Sequence, residues 1–108
     1  MAVFVVFTSK PKDYRILFKY NDKIEFSSKS FSTRVECLQM IRLMRSKCHK
    51  DVFYKIKNLS CGSWCFEFVE PTRNDVIGCS KTYTDKITVL NKISHMKTKA
   101  QKAKLKSV

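Results

Sequence analysis

"SSKSFSTRVECLQMIRLM", residues 27–44, is echoed 52 residues later by "CSKTYTDKITVLNKISHM", residues 79–96. Ser28, Lys29, Leu38, Ile41 and Met44 are identical to Ser80, Lys81, Leu90, Ile93 and Met96. Ser30, Phe31, Ser32, Arg34 and Val35 meet close chemical substitutes in Thr82, Tyr83, Thr84, Lys86 and Ile87. Self-similarity at a fixed offset is the signature of a repeated structural unit. Upstream the offset becomes 50, setting Tyr14, Ile16 and Phe18 against Trp64, Phe66 and Phe68. The two extra residues fall in a longer second turn, "PTRND" in place of "NDK". An even shift keeps every side chain on its own face of a strand.

The stretches around these echoes read as three strands and a helix, twice. Ala2–Thr8, rich in Val and Phe, is a short strand ended by "SKPKD". In "DYRILFKY" Tyr14, Ile16, Phe18 and Tyr20 alternate with Arg15, Leu17 and Lys19, the period of a strand with one buried face. A tight turn at Asn21-Asp22 returns the chain through Ile24 and Phe26. Ser32 or Thr33 then caps a helix, with Glu36 placed for a capping box. Val35, Leu38, Ile41 and Met44, with Cys37 and Cys48 nearby, form its apolar stripe, leaving Arg34, Arg42 and Arg45 to face water. The second half repeats the plan. Val52, Tyr54 and Ile56 alternate, "WCFEFVE" and "VIGCSK" pair, and Thr84 or Asp85 caps a helix whose stripe is Ile87, Leu90, Ile93 and Met96, with Ala100 at its end.

A half of about 50 residues with one amphipathic helix cannot cover its own sheet. Two halves joined strand to strand can lay both helices on the same side. The expected fold class is therefore α+β, a tandem βββα duplication with an antiparallel sheet and two helices packed on one face. Residues 1–96 form one domain of two repeats, 1–50 and 51–96, and residues 97–108 follow as a basic C-terminal helix extension or tail.

The hairpins, the "SKSFS" and "SKTYT" stretches ahead of each helix, and the "CLQMI" and "VLNKI" helix segments resemble the YegP-like family of small bacterial proteins. That resemblance implies tandem units of three strands and a helix, with a Ser-x-x-Tyr-Ser-like motif before each helix. It implies no particular activity, since the family has no settled biochemical function. The hairpin turns depart from the Asn-Gly type usual in the family.

A net charge of +13 and a pI near 9.8 point to an anionic partner, with nucleic acid ahead of membrane surfaces or acidic proteins. The final "KTKAQKAKLKSV" holds Lys97, Lys99, Lys102, Lys104 and Lys106 and no acid, yet the body stays basic without it. Five cysteines, an odd number with no secretory leader ahead of them, imply mostly buried free thiols in a reducing, cytoplasmic setting. No apolar run reaches membrane-spanning length.

Catalytic constellations are absent: His49 and His95 stand alone, with no phosphate loop and no suggestive acid pair. The chain is read as a non-enzyme. Cys61, Cys65, Cys48, His49 and Cys79 lack the spacing of tight zinc knuckles and read as thiols, so no metal and no cofactor is expected. What remains is binding. Arg15, Lys19, Lys55 and Lys57 on strand faces opposite the aromatic stripes, Arg42 and Arg45 on the first helix, and Lys97, Lys99, Lys102 and Lys104 near the end are candidate phosphate contacts. The expected function is weak, sequence-tolerant nucleic-acid binding. The alternative is a protein-interaction module, a homodimer or an inhibitor of a larger nucleic-acid-processing or defence complex. Val3, Val5 and Phe7 opposite Phe4 and Val6 supply the apolar surface for it.

Overall fold

Asn21 and Asp22 both adopt positive φ, at 51° and 66°, the backbone that lets a two-residue turn follow the twist of its strands. That turn joins β2 (Asp13–Tyr20) to β3 (Lys23–Ser28), and β1 (Ala2–Lys10) pairs with β2 in front of it. Helix α1 (Arg34–Lys47) completes the first half. After a 3-10 turn at Asp51–Phe53 come β4 (Tyr54–Asn58), β5 (Trp64–Glu70), β6 (Asp75–Ser80) and α2 (Lys86–Lys99). A second 3-10 turn, Ala100–Lys102, leads into β7 (Lys104–Ser107). The computed structural model describes residues 1–107.

The architecture is α+β: a seven-stranded open sheet in the order β4-β5-β6-β3-β2-β1-β7, with two helices. All pairings are antiparallel except β1 with β7, which is parallel. The two halves meet at β3 and β6, where Phe26, Ser27 and Ser28 pair with Ser80, Cys79 and Gly78. Phe4, Val6, Ile16, Phe18, Phe26, Phe66 and Phe68 line one side of the sheet and share a single buried cluster with residues of both helices. No helix of the described residues is long and apolar enough to cross a membrane.

The Ser-Lys echo has a structural role. Ser28 Oγ accepts from the Ile16 N–H at 2.8 Å and donates to the Lys29 carbonyl, while Ser80 Oγ accepts from the Phe66 N–H at 2.9 Å and donates to the Lys81 carbonyl. Each serine satisfies a buried backbone donor where the ladder is interrupted. Tyr14 with Phe31 and Trp64 with Tyr83 then exchange reciprocal backbone hydrogen bonds just before each helix. Thr33 and Asp85 are the caps. Thr33 forms a full capping box with Glu36, and Asp85 accepts from the Thr88 N–H.

Several expectations are corrected. The buried stripe of α1 is Cys37, Ile41 and Met44, and that of α2 is Val89, Ile93 and Met96. Val35 and Ile87 are exposed, and so are Leu38 and Leu90. Ile41 and Met44 serve either of two overlapping apolar stripes, and the seat of the helix on the sheet chooses between them. Val52 is exposed in the 3-10 turn, and the strand begins after it. The stretch expected as a basic extension or tail divides: Lys97–Lys99 end α2, while Lys104–Ser107 become an edge strand. Buried Ala100 and Ala103 anchor the connection to it.

Candidate nucleic-acid interface

Because paired residues in a sheet share a face, the register places each charge. On the side away from the helices β1 presents Val3, Val5 and Phe7, and β2 presents Arg15, Leu17 and Lys19 opposite them. On β4, Lys55 and Lys57 lie opposite Glu67 and Cys65 of β5. On β7, Lys104 and Lys106 lie beside Val3 and Val5. Six cations therefore share the open face in three ranks, Lys104 and Lys106, Arg15 and Lys19, and Lys55 and Lys57. The order of strands sets their spacing. The β7 and β2 ranks are two strands apart and the β2 and β4 ranks four, roughly 10 and 19 Å at the usual strand separation.

Acidic partners moderate two of these groups. Asp13 approaches Arg15 Nε at 3.3 Å, and its carboxyl is held below its ordinary range chiefly by a hydrogen bond from Ser30. Glu67 lies 3.7 Å from Lys57 Nζ. Lys55 donates to the Asn74 side chain at 3.2 Å, which positions it without neutralising it. Val5 is buried although it lies on the open side. Of the aromatic rings only Phe7 belongs to this face among the described residues, so successive bases have no stacking platform here. What the face can do is neutralise phosphates.

The other expected contacts lie elsewhere. Arg42, Lys99 and Lys102 are exposed on the helix side of the molecule. Arg45 does not simply face water: its guanidinium donates to the Ala103 carbonyl at 2.7 Å and lies over the Phe4 ring. It ties α1 to the approach to β7. Lys97 pairs with Asp51 and lies over the Tyr54 ring. The Tyr54 hydroxyl donates to the Cys48 carbonyl, and burial holds its pKa above the ordinary value. Lys106, expected with Lys104 to contribute from the basic tail, belongs with it to the open-face set. The alternation of Lys104, Leu105 and Lys106 is the period-2 signal that marks it.

Cys37, Cys48 and Cys65 are buried, Cys61 and Cys79 are exposed, and all five are free thiols. Among the described residues no group of three or more His, Cys, Asp or Glu side chains could hold a metal ion.

The fold is found in two solution NMR structures. YegP of E. coli, described as a protein of unknown function, matches with a TM-score of 0.89 at 20% identity, over 98% of this chain and 91% of that one. A UPF0339 protein from Shewanella oneidensis matches with a TM-score of 0.89 at 13% identity, over 98% and 90% of the two chains. The resemblance read from "SKSFS" and "SKTYT" is thus met at the level of the fold. No family model and no curated protein matches the chain.

Proposed function

We propose that this chain, with a fold shared by proteins of unknown function, is a small binding module without chemistry of its own that holds nucleic-acid phosphates on its open sheet face. The observation that carries the reading is the position of β7. It brings Lys104 and Lys106 onto the face that already bears Arg15, Lys19, Lys55 and Lys57. Cations spread over a flat face neutralise a backbone without reading bases, so binding is weak, salt-sensitive and indifferent to sequence. Five free thiols support a reducing, cytoplasmic setting. We also read the chain as a tandem βββα duplication. Its support is the recurrence, at an offset of 52, of the Ser28/Ser80 hydroxyl bridge, the aromatic backbone bridge and the side-chain cap.

The test is fluorescence anisotropy of labelled oligonucleotides across a salt series, with point variants of the full chain. K104Q/K106Q and K55Q/K57Q should each weaken binding and lower the salt slope by about 1.4 for a single strand. R42Q/K99Q/K102Q, on the helix side, should leave the slope unchanged. Loss with the helix-side variant alone would refute the sheet-face reading. A chain cut after Met96 is unsuitable because it loses β7 with buried Ala100 and Ala103.

A second reading rests on Val3, Val5, Phe7 and Leu17, an apolar band framed by the cations. An acidic protein surface would match that combination. Retained nucleic-acid affinity in both sheet-face variants, with a partner's binding abolished by Leu17→Asp, would favour it.

A further inference from the structure

Two grooves lie where a hairpin of one half faces the strand-to-helix junction of the other. The first, about 570 Å³, has Phe31, Met40, Leu43 and Ile77 in its wall. The second, about 480 Å³, runs between Asp22–Glu25 and the Lys81, Tyr83 and Lys92 side chains. At the offset of 52 these grooves contain matching positions, yet their chemistry is exchanged. Phe31 corresponds to Tyr83, Met40 to Lys92, and Ile77 to Glu25. Three positions apolar in one groove are polar or charged in the other.

The exchange is deepest at Glu25. It is the extra residue where the β2–β3 register shifts, and it is 4% exposed, directed toward α2. Its Oε2 accepts from Lys92 Nζ at 2.8 Å. Its Oε1 makes no hydrogen bond and lies 3.6 Å from His95 Nδ1, also unpaired, whose ring packs on Tyr20. Burying a carboxylate and leaving one oxygen unsatisfied costs free energy that an apolar pair of similar volume avoids. Ile77 and Met40 show that this fold accommodates the apolar solution. Stability therefore gives no reason to prefer Glu25 and Lys92 over the apolar pair at these positions.

Glu25 takes one of the three Lys92 donors and orients the ammonium, which keeps its proton to higher pH than usual because of that hydrogen bond. Burial likewise holds the Tyr83 phenol in its protonated, donating form. Lys23 and Lys81 are exposed on opposite walls. Against these donors stand Asp22 at the rim and Glu25, already committed to Lys92. Three ammonium groups and a phenol, with one ammonium already shared with Glu25, carry more positive charge than the single charge of a carboxylate offsets. They match a dianionic phosphate with its three oxygens.

We propose that the groove between the Asp22–Glu25 hairpin and α2 binds the phosphate group of a small phosphorylated ligand, with Lys92, Lys81, Lys23 and Tyr83 as donors and Glu25 positioning Lys92. The site is on the helix side of the sheet and does not depend on the open-face reading.

The experiment is an amide NMR titration of the full chain, at constant ionic strength, with inorganic phosphate and then a nucleoside 5′-monophosphate. Saturable shifts confined to residues 22–25, 81–83 and 92–95 are expected with both. E25I/K92M copies Ile77 and Met40 of the first groove and should abolish those shifts without lowering the thermal midpoint. K23Q/K81Q, confined to exposed positions, should weaken binding at least threefold. The proposal is overturned by absence of localised shifts, by their persistence in E25I/K92M, or by a markedly lower midpoint in that variant, which would make the ion pair structural. Shifts produced only by an oligonucleotide would overturn the small-ligand assignment.

Discussion

Gly78 lies at the junction of the two halves, opposite Ser28 in the β3–β6 ladder. A methyl group there would stand 2.3 Å from the Ser27 carbonyl oxygen, 2.6 Å from Ser28 Cα and 2.6 Å from Phe26 Cζ. Two of these contacts are backbone. The third belongs to a fully buried ring held between Phe66 and Phe68, each with its centroid 6.2 Å away. No side-chain rotation relieves the overlap, so β3 and β6 must separate. Their ladder has three residue pairs, and it alone pairs strands of the first three with strands of the next three. Overpacking a filled core costs 1–3 kcal/mol, and the backbone contacts place Gly78→Ala at the upper end, about 3 kcal/mol. For a chain of this length that lowers the thermal midpoint by about 12–24 °C. Urea unfolding followed by the fluorescence of Trp64, the single tryptophan, measures it directly. Adding Phe26→Leu removes the ring contact and leaves the carbonyl one, so the cost of alanine should fall only in part. A loss below about 0.5 kcal/mol in Gly78→Ala would refute the reasoning, because surface substitutions give as much.

Arg45→Met should cost about 2 kcal/mol through loss of the charged hydrogen bond to the Ala103 carbonyl, with no change in the salt slope of oligonucleotide binding. A changed slope at unchanged stability would return Arg45 to the phosphate contacts. The Asp85 carboxyl is held below its ordinary 3.8 mainly by the Thr88 N–H, so its stabilising effect is complete above that value and is lost as pH falls through the lowered one. Asp85→Ala should therefore be less stable than the parent at pH 7 and converge with it in strong acid, as unfolding at several pH values would show. Timed iodoacetamide labelling with mass spectrometry should modify exposed Cys61, whose thiol a Ser63 hydrogen bond lowers, well before Cys37, which burial pushes up to about 11. Equal rates at Cys61 and Cys37 would contradict the burial of α1.

Periodicity and offset carried much of this molecule. The alternation in "DYRILFKY" and "WCFEFVE", the caps at Thr33 and Asp85, and the sides of the sheet taken by Arg15, Lys19, Lys55 and Lys57 follow from the residues themselves. Each is a local property, expressed within one strand or one helical turn. The helix stripes were less determinate. Val35 and Leu38 on one flank and Cys37 on the other both lie at helical spacing to Ile41. The charge exchange between Glu25 and Ile77 was visible at the same offset. Its meaning needed the neighbour 67 residues away that completes it, Lys92.

Taken alone, the sequence determined the first six strands and both helices, their recurring order and the basic character of the chain, because these depend on residues a few positions apart. Tertiary structure decided the rest. It turned the basic tail into an edge strand beside β1, drew Arg45 into a structural bond, exposed Leu38 and Leu90, and brought Glu25 beneath Lys92 and His95. The physical reason is that periodicity reports which side of an element a residue occupies. What that side meets depends on packing between segments distant in the chain, where burial and charge pairing are settled together.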